Sequence, residues 1–234
     1  MTGALLACAP YCYGQTVNVH KADGTVLNIS AEDFDYIDFS AADASFNPCP
    51  DANHPHLLDL GLPSGVKWAC CNVGAAKPEQ PGGYYAWGEV EVKDVYNWDT
   101  YTYYADGSYT VLGTNISGTI YDAATFQWGA PWKMPTAMQI LELLDNTTVE
   151  TAVVDGKNIL KLTANNGTAI YLPIAGTKFA AGTDFDGERG YLWSGDYDPD
   201  WDGGAYGMSF GTWGGYWDGG GRLYGRNVRP VVNP

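Results

Sequence analysis

The stretch GYLWSGDYDPDWDGGAYGMSFGTWGGYWDGGGRLYGRNVRPV, residues 190–231, carries the most informative pattern in the chain. Its central part, AYGMSF at residues 205–210, alternates large and small residues with the two-residue period of a strand. The large side chains are expected to face the core: Tyr206, Met208 and Phe210. The small residues are expected on the opposite, exposed face: Gly207, Ser209 and Gly211. Asp196 to Gly204 and Asp218 to Gly221 are expected to form flanking loops.

Upstream of this stretch, from Leu57 onward, short strand patterns alternate with Gly and Pro breakers. One segment predicts a helix, which Thr136 begins and Asn146 ends. Its apolar face is expected to contain Met138, Ile140, Leu141, Leu143 and Leu144. Residues 149–172 predict strands with turns at Asp155-Gly156 and Asn166-Gly167. The predicted fold class is therefore α+β with little helix.

The N-terminal part predicts a small β module over residues 15–39. Residues 16–29, TVNVHKADGTVLNI, alternate around Asp23-Gly24, which favours a tight hairpin. The following EDFDYIDF, residues 32–39, alternates as well. Residues 40–56 are rich in Ala, Asp, Asn and Pro without a period, which predicts a linker. The main domain is thus expected at residues 57–234.

The first 14 residues, MTGALLACAPYCYG, are apolar and uncharged, which is typical of an export signal. Two export signals fit: a truncated signal peptide cleaved after Gly14, or a lipoprotein signal acylated at Cys8. Either predicts a protein of the bacterial cell surface, outer membrane or medium, whereas a cytosolic N-terminus is the third alternative. The remaining cysteines, Cys49, Cys70 and Cys71, allow one disulfide, between Cys49 and one of the vicinal pair.

Composition excludes several functions. The net charge of −15, with only 12 Lys and Arg, disfavours nucleic acid and anionic membranes, because phosphate binding needs clustered cations. All three histidines precede Leu57, so the main domain alone has no Ser-His-Asp or Cys-His site. His54-Pro55-His56 lacks further metal ligands nearby. No catalytic residue, metal site or cofactor is predicted.

Four separated motifs carry a family resemblance: DLGLPSGVKWACCNVGA (59–75), YYAWGE (84–89), WGAPWKMPT (128–136) and RNVRPV (226–231). In this order they resemble the major paralogous domain family of gut and rumen bacterial surface proteins, over residues 57–232. That family is similar in motif order to C-type-lectin-like folds, including the formylglycine-generating enzymes. The resemblance implies a twisted antiparallel sheet with long loops and few helices, closed by C-terminal strands. It also implies burial of Cys71 and, since no Cys follows it, no formylglycine-generating activity.

Residues 190–227, the tail, resemble the variable region of proteins that diversity-generating retroelements rewrite at adenines. Randomised Asn codons never yield Trp, Met, Lys, Glu or Gln. Between Gly190 and Arg226 there is no Lys, Glu, Gln or Asn, although there are five Asp. The resemblance implies a diversified binding face on a constant scaffold of Trp193, Trp201, Met208, Trp213 and Trp217. An ordinary Gly-, Tyr- and Trp-rich loop region is the alternative.

The tail composition is typical of recognition surfaces, since Tyr supplies contact area at low entropy cost while Gly and Ser adapt. Arg222 and Arg226 are expected to pair with acidic ligand groups, and Arg229 to form a structural ion pair or a cap. The candidate ligand-binding residues are Asp196, Tyr197, Asp198, Asp200, Asp202, Gly207, Ser209, Gly211, Tyr216, Asp218, Gly219, Gly220, Leu223, Tyr224 and Arg226.

These expectations describe a non-enzymatic, exported ligand-binding protein of the adhesin or pilus-tip kind. Its expected partner is an extracellular protein or glycan, with a pilus or other surface assembly as a further candidate. The alternative is a carbohydrate-binding module or carbohydrate-active enzyme with a fixed Trp and Asp site, because several Asp cluster near aromatic residues. A surface component without a ligand is the third hypothesis. The Asp spacing also resembles calcium loops, but the EF-hand Gly and Glu are missing, which favours solvated Asp.

Overall fold

The structure, a computed structural model, describes residues 16–20, 25–30 and 56–234. Its helices are α1 (Ala123–Trp128) and α2 (Ala137–Asp145). Its strands are β1 (Thr16–His20), β2 (Val26–Ser30), β3 (Leu57–Leu58), β4 (Lys67–Ala69), β5 (Tyr104–Ala105), β6 (Ser108–Tyr109), β7 (Thr147–Val154), β8 (Lys157–Ala164), β9 (Ala169–Pro173), β10 (Ala175–Phe179), β11 (Gly182–Asp186), β12 (Arg189–Tyr197), β13 (Gly204–Gly211), β14 (Gly214–Gly221) and β15 (Val231–Val232). Strands dominate and helices are few, as the predicted α+β class requires. Neither described helix is long and apolar enough to cross a membrane.

The N-terminal strands β1 and β2 pair antiparallel, with Thr16 opposite Ser30 and His20 opposite Val26. This confirms the hairpin pairing predicted for the segment. The turn at Asp23-Gly24, the strand predicted over residues 32–39, the linker up to residue 55, Cys49 and the first 14 residues lie outside the described residues. The hairpin and residues 56–234 belong to different compact units, and each is described by itself.

The main unit contains one five-stranded and two three-stranded sheets. Their strand orders are β11-β10-β12-β13-β14, β7-β8-β9 and β15-β4-β3, and a small β5-β6 ladder accompanies them. The C-terminal strand returns to the first strands of the main unit, because Val231 of β15 pairs with Trp68 of β4. The fully buried guanidinium of Arg229 donates to the carbonyl oxygens of Ala69 and Tyr171 and so links two sheets. This confirms the structural role predicted for Arg229.

Helix α2 begins and ends where the sequence predicts. The Thr136 hydroxyl accepts from the backbone N–H of Gln139, whose side chain accepts in return from the Thr136 N–H. Asn146 is the C-cap. Ile140 and Leu143 are buried, but Met138, predicted on the same face, is 71% exposed. At about 100° per residue Met138 lies on the far side of the helix from Ile140.

Helix α1 was not predicted. Asp122 caps it by accepting from the backbone N–H groups of Ala124 and Thr125, and Gly129 ends it with a φ of +76°. Six residues are too short a run to show a helical period, and the fold stabilises them by burial of Ala123, Ala124 and Trp128.

Strands β7, β8 and β9 confirm the prediction for residues 149–172. Asp155 and Gly156 have φ values of +49° and +76°, the positive angles that a two-residue type I′ hairpin requires. Gly167, at a φ of +86°, lies in the second predicted turn. The buried side chains of β8 and β9 include Leu160, Leu162 and Leu172, so this sheet contributes to the core.

Strands β12 and β13 are buried on both faces. Leu192, Met208 and Phe210 join the apolar cluster that contains Ile140 and Leu143 of α2. Trp193 and Ala205, from the opposite face, join a second apolar cluster that contains Trp87 and Trp132. Burial of Met208 and Phe210 is as predicted, whereas Tyr206 is half-buried.

The tail also contains more strand than the sequence predicts. Asp218 to Gly221, expected as a loop, belongs to β14, and Asp196 and Tyr197 belong to β12. Glycine runs have low strand propensity, but β13 offers β14 a complete ladder from Gly204 opposite Gly221 to Gly211 opposite Gly214. Within the predicted loop, residues 198–203 remain outside strands.

Met208→Ala is expected to lower the free energy of unfolding by about 2–5 kcal/mol, because it leaves a cavity in the core. The matched control is Met138→Ala, which alters an exposed side chain and is expected to change stability by less than about 0.5 kcal/mol. Denaturant titration of both variants measures the difference. Equal losses would contradict the assignment of the core.

Candidate ligand-binding surface

The register of the tail strands determines which candidate residues share a face. Gly207 lies opposite Asp218 and Ser209 opposite Tyr216, and on β12 Tyr191 lies opposite Ser209. Residues directly opposite each other lie on the same face of a sheet. The face so defined, here named the Ser209 face, comprises Tyr191, Trp193, Ala205, Gly207, Ser209, Gly211, Gly214, Tyr216, Asp218 and Gly220. The predicted alternation of β13 is therefore right.

The predicted exposure of that face is wrong for its centre. Gly207, Ser209, Gly211 and Gly220 are all buried. A Cβ atom at Gly207 would overlap the carbonyl oxygen of Leu192, and one at Gly211 would lie 2.6 Å from the indole nitrogen of Trp213. Ser209 is fully buried, and its hydroxyl has no hydrogen-bond partner within the described part of the chain. These positions are packing sites, because a second layer of side chains covers the sheet.

Arg226, predicted to contact ligand, is part of that second layer. It is 5% exposed, and its guanidinium carbon lies 4.2 Å from the ring centroid of Trp193 and 4.9 Å from that of Tyr191. A Cβ atom at Gly220 would overlap this guanidinium. Burial lowers the pKa of Arg226 to about 10, so it stays charged at neutral pH. Stacking on two electron-rich rings compensates part of the desolvation cost.

Arg222 and Leu223 are also buried, against prediction. The Arg222 Nε donates to the Tyr101 hydroxyl at 2.9 Å, and its terminal nitrogens donate to the carbonyl oxygen of Thr110. Its guanidinium carbon lies 4.8 Å from the ring centroid of Trp87. Leu223 packs in a tyrosine-rich cluster with Tyr101. Both residues hold the end of the tail to the domain and leave no group for a ligand.

Several acidic candidates have structural partners as well. The Asp196 carboxylate accepts from the first backbone N–H of α2, at Ala137, and from the Asn115 side chain, so it stabilises the helix N-terminus. Asp198 accepts from the backbone N–H of Asp200 at 3.0 Å, which shapes the loop. Asp196 is therefore a structural residue, and the prediction that it contacts ligand is not supported by its geometry.

The outer part of the loop remains open to solvent. Asp200 and Asp202 are exposed, and Asp202 accepts from the Tyr197 hydroxyl at 2.7 Å. This hydrogen bond raises the pKa of Tyr197. Half-buried candidates flank them: Asp198, Asp218, Gly219 and Tyr224. The surface they form is acidic and aromatic, which favours neutral or cationic ligand groups.

Three tryptophans predicted as scaffold lie on this surface. Trp193 and Met208 are buried as expected, but Trp201, Trp213 and Trp217 are 48%, 52% and 45% exposed. Codon arithmetic indicates which residues stay constant and says nothing about burial. Two features of the sequence indicate exposure. Trp213 stands in the turn between Gly211 and Gly214. Trp217 directly follows Tyr216 in a strand, so the two side chains face opposite sides and cannot both face the core.

A groove runs between β7 and the β13–β14 turn. Its volume is about 490 Å³, and it is lined by Val149, Glu150, Thr151, Thr212, Trp213, Gly214, Gly215 and Tyr216. The rings of Trp213 and Tyr216 adjoin on one wall, with centroids 5.4 Å apart and planes inclined by 33°. Glu150 on the other wall is held by Lys161 at 2.9 Å. The sequence does not predict this groove, because β7 is distant in sequence from the tail.

Among the residues that the structure describes, no group of three or more His, Cys, Asp or Glu side chains is arranged to bind a metal ion. The buried Cys70 and Cys71 sulfur atoms lie 3.2 Å apart, and His56 lies 3.5 Å from the Cys70 sulfur. Burial of Cys71 agrees with the resemblance. The disulfide to Cys49 stays a prediction.

Comparisons of the chain with known protein families, curated proteins and solved structures find no match. The surface is therefore interpreted from its own chemistry.

Two neighbouring glycines test the packing of Arg226. Gly220→Ala is expected to displace the guanidinium from its stack and to cost about 1–3 kcal/mol. Its matched control, Gly219→Ala, places a methyl group 3.3 Å from the nearest atom, an oxygen of the Asp198 side chain, and is expected to change stability by less than about 1 kcal/mol. Thermal denaturation compares the two variants. If Gly219→Ala proves the more damaging, the assignment of buried and open faces is inverted.

Proposed function

We propose that this chain is an exported bacterial cell-surface protein that binds an extracellular ligand through the outward side chains of its tail. The observation that carries the proposal is a pair of strands, β12 and β13, buried on both faces, next to a loop, a turn and an edge strand that display half-exposed aromatic rings beside carboxylates. Trp213, Tyr216 and Trp217 lie on one strand and turn, and Trp201 lies beside Asp200 and Asp202. Aromatic side chains held on a stable scaffold are typical of interaction surfaces.

The finer fold within this proposal is C-type-lectin-like. Two features support it besides the four motifs. The five-stranded sheet is largely antiparallel and is followed by residues without strand assignment until β15. The C-terminal β15 then pairs with β4 near the start of the domain, and Val231 also forms a bridge with Lys133 of the third motif.

Diversification of the tail is a further part of the proposal. The absence of Lys, Glu, Gln and Asn between Gly190 and Arg226 supports it. The geometry restricts where substitutions are compatible with folding, since Gly207, Gly211 and Gly220 have no room for a larger side chain. Useful variation is therefore confined to the outward positions, and Trp201, Trp213 and Trp217 supply constant contact area.

We propose binding without turnover. Asp196 accepts from the backbone N–H of Ala137 and Asp202 accepts from the Tyr197 hydroxyl, so both carboxylates have structural partners. Glycoside hydrolysis uses two carboxyl groups flanking the scissile bond. The alternative function, a fixed carbohydrate-binding module, is favoured by one observation, the Trp213 and Tyr216 rings in the groove.

Sequencing the tail-coding DNA across a bacterial population that carries this gene tests the function. We expect amino-acid changes to concentrate at the outward positions Tyr197, Asp198, Asp200, Asp202, Tyr216, Asp218 and Tyr224. Rewritten Asn codons cannot yield Trp or Met, so the Trp and Met positions of the tail are expected to stay constant. The tightly packed Gly207, Gly211 and Gly220 are expected to stay constant as well.

The control region is β7, whose residues are about as exposed as the outward tail but lie outside it. Its codons are expected to stay constant. Changes scattered evenly over residues 57–234, or as frequent in β7 as in the tail, would rule out diversification.

A further inference from the structure

We propose that the groove between β7 and the β13–β14 turn binds a neutral saccharide, with Trp213 as the constant stacking surface. The proposal rests on the proposed function and names the ligand class for one part of its surface. The groove's volume of about 490 Å³ falls within the roughly 300–1,000 Å³ of small-molecule sites.

The aromatic wall supplies the apolar half of the recognition. Trp213 and Tyr216 are about half exposed, both line the groove, and their ring centroids lie 5.4 Å apart. Sugar rings carry C–H groups on one face, which are attracted to the negative face of an aromatic ring. Gly214 and Gly215 lie between the two aromatic residues and leave the approach unobstructed.

Polar residues of both walls supply the other half. Glu150 and Thr151 of β7 and Thr212 of the β13–β14 turn line the groove, and their carboxylate and hydroxyl groups suit the hydroxyl edge of a sugar. The Lys161 ammonium, 2.9 Å from one Glu150 oxygen, holds this carboxylate in place. A small number of fixed polar groups beside apolar rings is the usual composition of a specific small-molecule site.

The free edge of β7 adds backbone groups. β7 is the outermost strand of its sheet, and its two-residue hairpin makes Val154 and Lys157 a hydrogen-bonded pair. Pairs alternate from there, so the N–H and C=O groups of Val149 and Thr151 point away from β8. Both residues line the groove, where these groups can bond sugar hydroxyls.

Charge and size select a neutral saccharide. No Lys, Arg or His lines the groove, and the chain carries a net charge of −15, so anionic sugars are repelled. An extended peptide would also use the β7 edge, but strand addition needs pockets for alternate side chains. The groove spans three residues of β7, about 10 Å, which suits one or two sugar rings better than a strand.

The division between constant and variable residues fits this assignment. A Trp codon contains no adenine, so Trp213 persists through diversification, whereas position 216 is open to change. Trp213 would then supply general affinity for a sugar ring, and residue 216 would tune which sugar is preferred.

Calorimetric titration of the full chain with short neutral oligosaccharides of glucose, xylose or mannose tests the site. Trp213→Ala is expected to weaken binding by about 10-fold or more, as hot-spot tryptophans do. Glu150→Gln is expected to weaken it several-fold through the lost charge-assisted hydrogen bond. The matched control is Trp98→Ala, which removes an indole that is 45% exposed and lies outside both the groove and the tail, and it is expected to leave the affinity within about twofold.

Each contrary outcome is distinct. No binding of these oligosaccharides at millimolar concentration, or an equal loss in Trp98→Ala, overturns the saccharide site. Protection of the Val149 and Thr151 amides by an extended peptide, without sugar binding, assigns the groove to a peptide instead. Should Trp213→Ala fail to fold, Glu150→Gln decides alone, and unchanged affinity in it overturns the site. If the tail varies in the population but the protein binds none of these sugars, the saccharide site is ruled out and the proposed function still stands.

Discussion

Burial of strands β12 and β13 on both faces is the constraint on which the rest of the structure depends. The side that contains Met208 packs on helix α2, and the side that contains Trp193 packs on the second apolar cluster. The side chains of these two strands cannot be substituted freely, because nearly every one of them packs against a neighbour. Only the loop, the turn and the edge strand β14 are left to present variable side chains.

Buried arginines close the layer over this sheet. Arg226 spreads over Trp193 and Tyr191, Arg222 is bonded to Tyr101, and Arg229 bonds to carbonyl oxygens from two other sheets. Arg222 and Arg229 donate to a hydroxyl and to carbonyl oxygens, whereas Arg226 lies against aromatic faces, and its Nε and one terminal nitrogen have no hydrogen-bond partner among the described residues. The glycines of the tail make this possible, because Gly207 and Gly220 leave the space that Arg226 occupies. The glycine richness of the tail therefore has a packing cause as well as a recognition role.

Local patterns of the sequence were sufficient for local structure. The capping residues of α2, the Asp155-Gly156 turn and the alternation of β13 follow from one or two residues and their neighbours, so the sequence predicts them. Whether the Ser209 face is open depends on Arg226 and Trp193, which reach it only after the chain has folded. The groove likewise needs Glu150 to meet Trp213. Long-range packing of this kind leaves no periodic trace in the sequence.

The candidate site was predicted in part for the same reason. Asp200, Asp202 and Tyr216 are exposed as expected, whereas Ser209, Leu223 and Arg226 are buried. Composition identifies a stretch rich in contact residues, but it cannot separate those that face a ligand from those that face the core. The exposed tryptophans show the opposite discrepancy, because they are predicted as scaffold but are about half exposed. Constancy under codon rewriting does not imply burial.

Amide hydrogen exchange of β13 tests most directly whether the recognition surface is separable from the fold. In a variant that combines Asp200→Ser, Tyr216→Ser and Trp217→Ser, the outward side chains are removed together while the buried layer is kept. The account predicts that the Met208 and Phe210 amides exchange as slowly as in the unaltered chain. Loss of their protection would mean that the outward side chains hold the sheet together, and the division into scaffold and recognition surface would be contradicted.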